Sequence, residues 1–301
     1  MKKAIKFITS MIAGATGATR IHDAVSAGDR AKLMKLLENK TDINSKDQYG
    51  DTPLFIAISH SDAEIISLLL ENGADINIKN NDGEAPLHKA VFFDDPKIVA
   101  LLLDNGAEIE IERNEDPKTP LLSAAYGGRT QSVKLLMDRG ADINARGDDG
   151  GETLLHYAVA SGVNDTVELI LDRGADINAR DNAGSTPLFM AAMEGDADMI
   201  EFLCTKGADI NAKDNEGSTT LFYGILMSNV AKMLLNKGAD PNIKNNKGQT
   251  PLHKAVDYEH NHDIVKLLIA NGADPTIQDN EGKTPADITN DEVIRKLLKN
   301  K

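Results

Sequence analysis

The chain has one cysteine, Cys204, no tryptophan, and only 4% aromatic residues among 301. A lone thiol cannot close an intramolecular disulfide, so no covalent staple holds this fold. Such cysteine usage is that of a cytosolic protein, although an exported protein can also lack disulfides. Basic side chains are outnumbered 33 to 47, which leaves a net charge of −14. Binding nucleic acid without regard to sequence needs clustered Lys and Arg against the phosphates, so that class is set aside, as is docking on anionic membranes. The acidic surplus favours solubility and attracts basic partners. No apolar run approaches the ~20 residues needed to span a bilayer, so integral membrane association is not expected.

The first residues read separately. Lys2, Lys3 and Lys6 precede a short apolar stretch, residues 7–15, that is diluted by Thr9 and Ser10. Residues 1–16 are expected to be a leader to the first structural unit, in a cytoplasmic protein. If residues 1–18 act instead as a secretory signal, the protein is periplasmic or secreted.

What the chain has in abundance is one pattern, repeated. Gly-Ala-Asp or a close variant begins at Gly73, Gly106, Gly140, Gly174, Gly207, Gly238 and Gly272, at spacings of 31 to 34 residues. Thr-Pro-Leu or a near relative begins at Thr52, Ala85, Thr119, Thr153, Thr186, Thr219, Thr250 and Thr284 and keeps the same beat. Asp181-Asn182-Ala183-Gly184 suits a β-turn. Thr186 then stands at an N-cap, its hydroxyl available to a free amide, and Pro187 takes the first helical position, where a missing N–H costs nothing. Small Ala191 and Ala192 let neighbouring helices approach. After Gly195 a second helix turns Met199, Ile200, Phe202 and Leu203 inward, and Gly207 ends it in a left-handed cap.

A turn and two antiparallel helices in about 33 residues resemble the ankyrin repeat. The likeness is carried by stretches such as Gly248-Gln249-Thr250-Pro251-Leu252-His253-Lys254-Ala255 and Leu171-Asp172-Arg173-Gly174-Ala175-Asp176-Ile177-Asn178. It implies an all-α ankyrin-repeat solenoid, curved and elongated, with β-turn or hairpin fingers, over residues 17–301. About nine repeats are expected, the first and last acting as polar caps of a complete array. Length changes fall near Asp116-Pro117, Gly150-Gly151, Met227-Ser228-Asn229 and His260-Asn261-His262, where loops tolerate them. The unit from Asp214 to Asp240 is expected to be the weakest, with no first-turn Pro and with Gly224 where Ala is usual, a change costing ~1 kcal/mol in a helix.

No catalytic, cofactor-binding or metal-binding residue is expected. His22, His88, His156 and His253 recur two residues before an Ala, and the resemblance makes them structural, bonded to nearby backbone. His260 and His262 have poor spacing for zinc and read as a solvated loop. Cys204, beside Phe202 and Leu203, reads as a small core residue. Paired acids such as Asp94-Asp95 fit turns, and no phosphate-binding loop is present.

The resemblance implies a monomeric, non-enzymatic scaffold that sequesters, inhibits or tethers another protein through a concave groove. The alternatives are an exported protective factor or effector, and an assembly role through self-association. The groove residues it implies are the ends of the first helices, His60, Phe92, Phe93, Tyr126, Met193, Leu226, Met227 and Tyr258, with Tyr49, Asp51, Asp82, Glu84, Asp148, Asp149 and Glu152 at the fingers. Aromatic anchors with an acidic rim suit a basic or amphipathic segment of the partner.

Overall fold

The computed structural model describes residues 20–114, 118–147, 150–258 and 261–299. Its contacts divide the chain into two units, residues 1–148 and 149–301. In the first unit helix α1 (residues 20–26) pairs with α2 (Arg30–Glu38), and α3 (Pro53–Ser59) with α4 (Ala63–Glu71). The pairs α5 (Pro86–Phe93) with α6 (Pro96–Asp104) and α7 (Pro120–Tyr126) with α8 (Thr130–Asp138) follow. The second unit holds α9 (Leu154–Ala160) with α10 (Asn164–Asp172), α11 (Pro187–Met193) with α12 (Ala197–Thr205), and α13 (Thr220–Gly224) with α14 (Ser228–Asn236). It ends in α15 (Pro251–Val256) with α16 (His262–Ala270) and α17 (Pro285–Ile288) with α18 (Glu292–Lys299). Within each unit first helices pack on first helices and second on second, as α3 on α5 and α12 on α14.

The inward residues explain this stacking. Leu54, Phe55, Ala57 and Ile58 of α3 are buried with Ile65, Ile66 and Leu69 of α4. Leu188, Phe189, Ala191 and Ala192 of α11 are buried with Met199, Ile200 and Leu203 of α12. Phe202 departs from expectation: it is only half-buried, and the Lys206 ammonium lies 5.4 Å from its ring. Cys204 is likewise half-buried, and burial pushes its thiol pKa up, away from a reactive thiolate.

Glycine ends the second helices at positive φ, as at Gly73 with φ 87°. Lys40 fills that place after α2 with φ 54°, a left-handed conformation that costs a side-chain-bearing residue about 1–2 kcal/mol.

The fingers are turns stitched across repeats. In the first unit Asp47 N–H donates to the Asp51 carbonyl at 3.0 Å, while Asn81 N–H donates back to the Tyr49 carbonyl at 3.1 Å. In the second, Asn280 N–H donates to the Lys247 carbonyl at 3.0 Å and its side-chain amide to the Asn246 carbonyl at 2.8 Å. Gly248 has φ 76°, and a Cβ there would stand 2.5 Å from Asn280 Oδ1. Among the described residues, strand pairing is limited to isolated bridges such as Lys213 with Thr219.

Three local expectations are corrected. Thr186 makes no side-chain cap bond, and its hydroxyl is buried without a partner; the cap hydroxyl does bond at Thr119, which accepts from Leu122 N–H at 3.3 Å. Elsewhere the cap is made by histidine: Thr250 N–H donates to His253 Nδ1 at 3.1 Å, and Ala85 N–H to His88 Nδ1 at 3.3 Å. Because that bond uses the backbone amide, Ala85 keeps its cap without a hydroxyl. The opposite nitrogen, Nε2, donates to the next repeat, from His88 to the Lys118 carbonyl at 2.7 Å and from His22 to the Asp51 carbonyl at 2.9 Å. These histidines therefore tie neighbouring repeats together, beyond serving their own.

Second, Gly224 is a packing requirement: a Cβ there would lie 2.7 Å from Leu234 Cδ1 and 2.9 Å from Val230 Cγ1. With two residues missing between them, α13 and α14 stand too close for the usual Ala. Third, His262 opens α16, and its Nε2 lies 2.6 Å from Asp291 Oδ2 of the following repeat. It is not part of a solvated loop; His260, like residues 115–117 and 148–149, lies outside the described residues.

Candidate protein-docking face

First helices are amphipathic only up to their last turn. Pro, Leu and the small residues bury, and the final residues run past the neighbouring helix into solvent. In α3 this end is His60, whose Nδ1 bonds to the Ile56 carbonyl at 2.8 Å. Helix α5 runs farther, to Phe93, and stops because Asp94 turns left-handed at φ 53°. The Asp94 carboxylate is held by the next repeat, accepting from Ser132 N–H at 3.0 Å and from its hydroxyl at 2.7 Å.

That stop leaves Phe92 63% and Phe93 43% exposed, their rings edge to face at 5.4 Å. Arg129 places its guanidinium 5.6 Å from the Phe92 ring, and Lys89 its ammonium 5.8 Å from the Phe93 ring. Tyr126, at the same place in the next repeat, is 56% exposed. Between α5 and α7 opens a cavity of about 320 Å³, lined by Glu84, His88, Phe92, Arg113, Tyr126 and Arg129 among others. Burial holds the His88 imidazole at a pKa of about 4, with the nearby Arg113 and Lys79 cations adding to the effect. His88 is thus neutral at pH 7.

In the second unit Met193 and Leu226 stand where Phe92 does and Met227 and Tyr258 where Phe93 does, all exposed. Met227 lies against the Cα of Gly195, where a Cβ would be 2.9 Å from its sulfur, so it partly covers the preceding repeat. Lys254 stacks 5.3 Å from the Tyr258 ring.

The acids divide differently from the sequence expectation. Asp82 and Tyr49 are exposed at finger tips, and Glu152 is half-buried. Asp51 and Glu84 are not free rim charges: Asp51 Oδ1 accepts from the Asn80 side chain at 2.9 Å, and Glu84 pairs with Arg113 at 3.2 Å. Each is drawn inward by a residue of the following repeat. Asp148 and Asp149 lie outside the described residues.

Sequence reasoning missed the cations. Lys89 with Phe93 and Lys254 with Tyr258 are four residues apart, one helical turn, so their meeting was legible. Arg129 comes to Phe92 from 37 positions away in the chain, and no local pattern marks that contact. Met34 and Tyr223 are further exposed apolar residues that the sequence did not single out.

Among the described residues no group of three or more His, Cys, Asp or Glu is placed to hold a metal ion. None of their helices is long and apolar enough to cross a membrane. In comparisons with known proteins, a family model described as ankyrin repeats (3 copies) matches residues 21–113, 110–181 and 179–245. A second, described as ankyrin repeats (many copies), matches residues 234–288. A search of curated proteins gave no match.

Proposed function

Because the chain belongs to the ankyrin-repeat family, whose repeats typically mediate protein–protein interactions, we propose that it is a non-enzymatic scaffold holding a partner protein against its first-helix ends. One observation carries this reading. Large apolar side chains stand in solvent at the ends of several first helices, in two adjacent register positions, while the Leu and small residues of those helices are buried. Apolar side chains left in solvent at recurring positions are what a recognition surface needs. The partner contributes an amphipathic segment: apolar residues meet Phe92, Phe93 and Tyr126 in one unit, or Met193, Leu226 and Tyr258 in the other. Basic residues answer the exposed acids, of which Asp82 is the clearest. The same reading takes the protein as a cytoplasmic monomer of about nine repeats that sequesters, inhibits or tethers its target.

The test starts with affinity purification on the wild-type chain to obtain the partner. Replacing Phe92, Phe93 and Tyr126 together with Ala should preserve the helical circular dichroism and weaken binding by at least ~2 kcal/mol, about 30-fold. Unchanged affinity in the folded triple variant refutes the assignment of this face. Sequencing the mature N-terminus separates a cytoplasmic protein from an exported one.

A further inference from the structure

Resting on that reading of the docking face, we infer that the cavity between α5 and α7 receives a carboxylate side chain, Asp or Glu, that neighbours an apolar residue in the partner. The expectation from net charge is the opposite, since a chain at −14 draws basic groups. The local charges reverse it. Three ionic groups line the cavity: Glu84, Arg113 and Arg129. Glu84 and Arg113 are 3.2 Å apart and both mostly buried, so they largely cancel. His88 adds no charge at pH 7. What remains is Arg129, which has no carboxylate within ion-pair distance among the described residues, and whose Nε is buried without a hydrogen-bond partner.

The geometry also closes the usual place for an incoming cation. A Lys or Arg of a partner would seek the face of an exposed aromatic ring, but Arg129 already occupies the Phe92 face at 5.6 Å. A second cation would meet like charge. A guanidinium held over a ring can still offer its terminal N–H groups to a carboxylate, the bidentate geometry Arg favours. Val91, Phe92 and Tyr126 on the same walls supply the apolar surface for the neighbouring residue. The segment bound here therefore carries an acid–apolar pair at this point, whatever basic residues meet the fingers.

The probes are three capped dipeptides, acetyl-Leu-Glu-amide and its Gln and Lys counterparts, titrated into the full chain. The readout is the side-chain Nε–H signals of ¹⁵N-labelled arginine, with the Arg129 signal assigned from its loss in Arg129→Lys. The Glu peptide should bind at least tenfold more tightly than the Gln peptide and shift the Arg129 signal, and the Lys peptide should be weakest. Arg129→Gln should bring the Glu peptide down to the Gln level. Arg129 makes no side-chain cap bond to α8, so this variant leaves the helix start intact, as circular dichroism will check. If Arg129→Gln does not fold, Phe92→Ala, which removes the stacking ring, should weaken the Glu peptide at least threefold. Equal binding of Glu and Gln peptides, preference for Lys, or no binding of any of the three overturns the carboxylate assignment. It does so without touching the docking face, which stands or falls on the triple variant.

Discussion

Acidification from pH 7 to pH 5 should loosen the protein through His88. In the folded chain both ring nitrogens are committed: Nδ1 accepts from Ala85 N–H and Nε2 donates to the Lys118 carbonyl. The ring is buried, which is the leading cause, and Arg113 and Lys79 lie near it; a second proton would also have to sit on Nδ1 facing an N–H. That is why the folded pKa lies at about 4, against 6.5 when unfolded. Between these values the unfolded chain binds a proton that the folded chain does not. The group's contribution is whole above pH 6.5 and is lost as pH falls toward 4. From pH 7 to pH 5 the loss works out to about 2 kcal/mol. His253 is lowered for the same leading reason, burial, and acts in the same direction. Comparing wild type with His88→Gln isolates the His88 share. Hydrogen exchange in α5 and α7 should show opening about 2 kcal/mol easier at pH 5 than at pH 7 in wild type. The variant should lack most of that change. An NMR titration should find no His88 transition above pH 5; a midpoint between 6 and 7 would show that the site admits the proton and defeat the argument.

Gly224→Ala should destabilise by about 1–3 kcal/mol through overpacking against Val230 and Leu234. Thermal unfolding that rises instead, in line with the ~1 kcal/mol helix preference for Ala, would show that α14 can move aside. Lys40→Gly should stabilise the first repeat by about 0.5–1 kcal/mol, relief of a left-handed backbone less the entropy glycine adds to the unfolded chain. Slower hydrogen exchange in α2 would register it, and faster exchange would count against it. Gly248→Ala should cost at least ~1 kcal/mol, because its positive φ and the approach of Asn280 both exclude a Cβ. Denaturant titration that finds it neutral would mean the finger contact yields freely.

The repeat, its helix starts and its glycine stops were legible in the chain because local rules set them. Proline at a first helical turn, glycine at a left-handed cap and a 33-residue beat need no neighbour to be recognised. The exposed helix ends were legible for the same reason, as recurring register positions that aromatic and other large apolar residues occupy. Lys40 also shows how firmly register is written, since it takes the left-handed conformation where glycine is absent.

Tertiary structure decided what lies across repeats. The sequence marked four recurring histidines; only stacking shows that Nε2 of each reaches the carbonyl of the next repeat, as His253 does to Lys283 at 3.2 Å. Gly224 reads as a weak residue until α14 is seen against it, and Glu84 as a free acid until Arg113 pairs with it. The charge at the proposed docking face was decided in the same way. Composition speaks for the whole molecule, whereas a cavity feels groups within a few ångströms, and here folding sets Arg129 on Phe92.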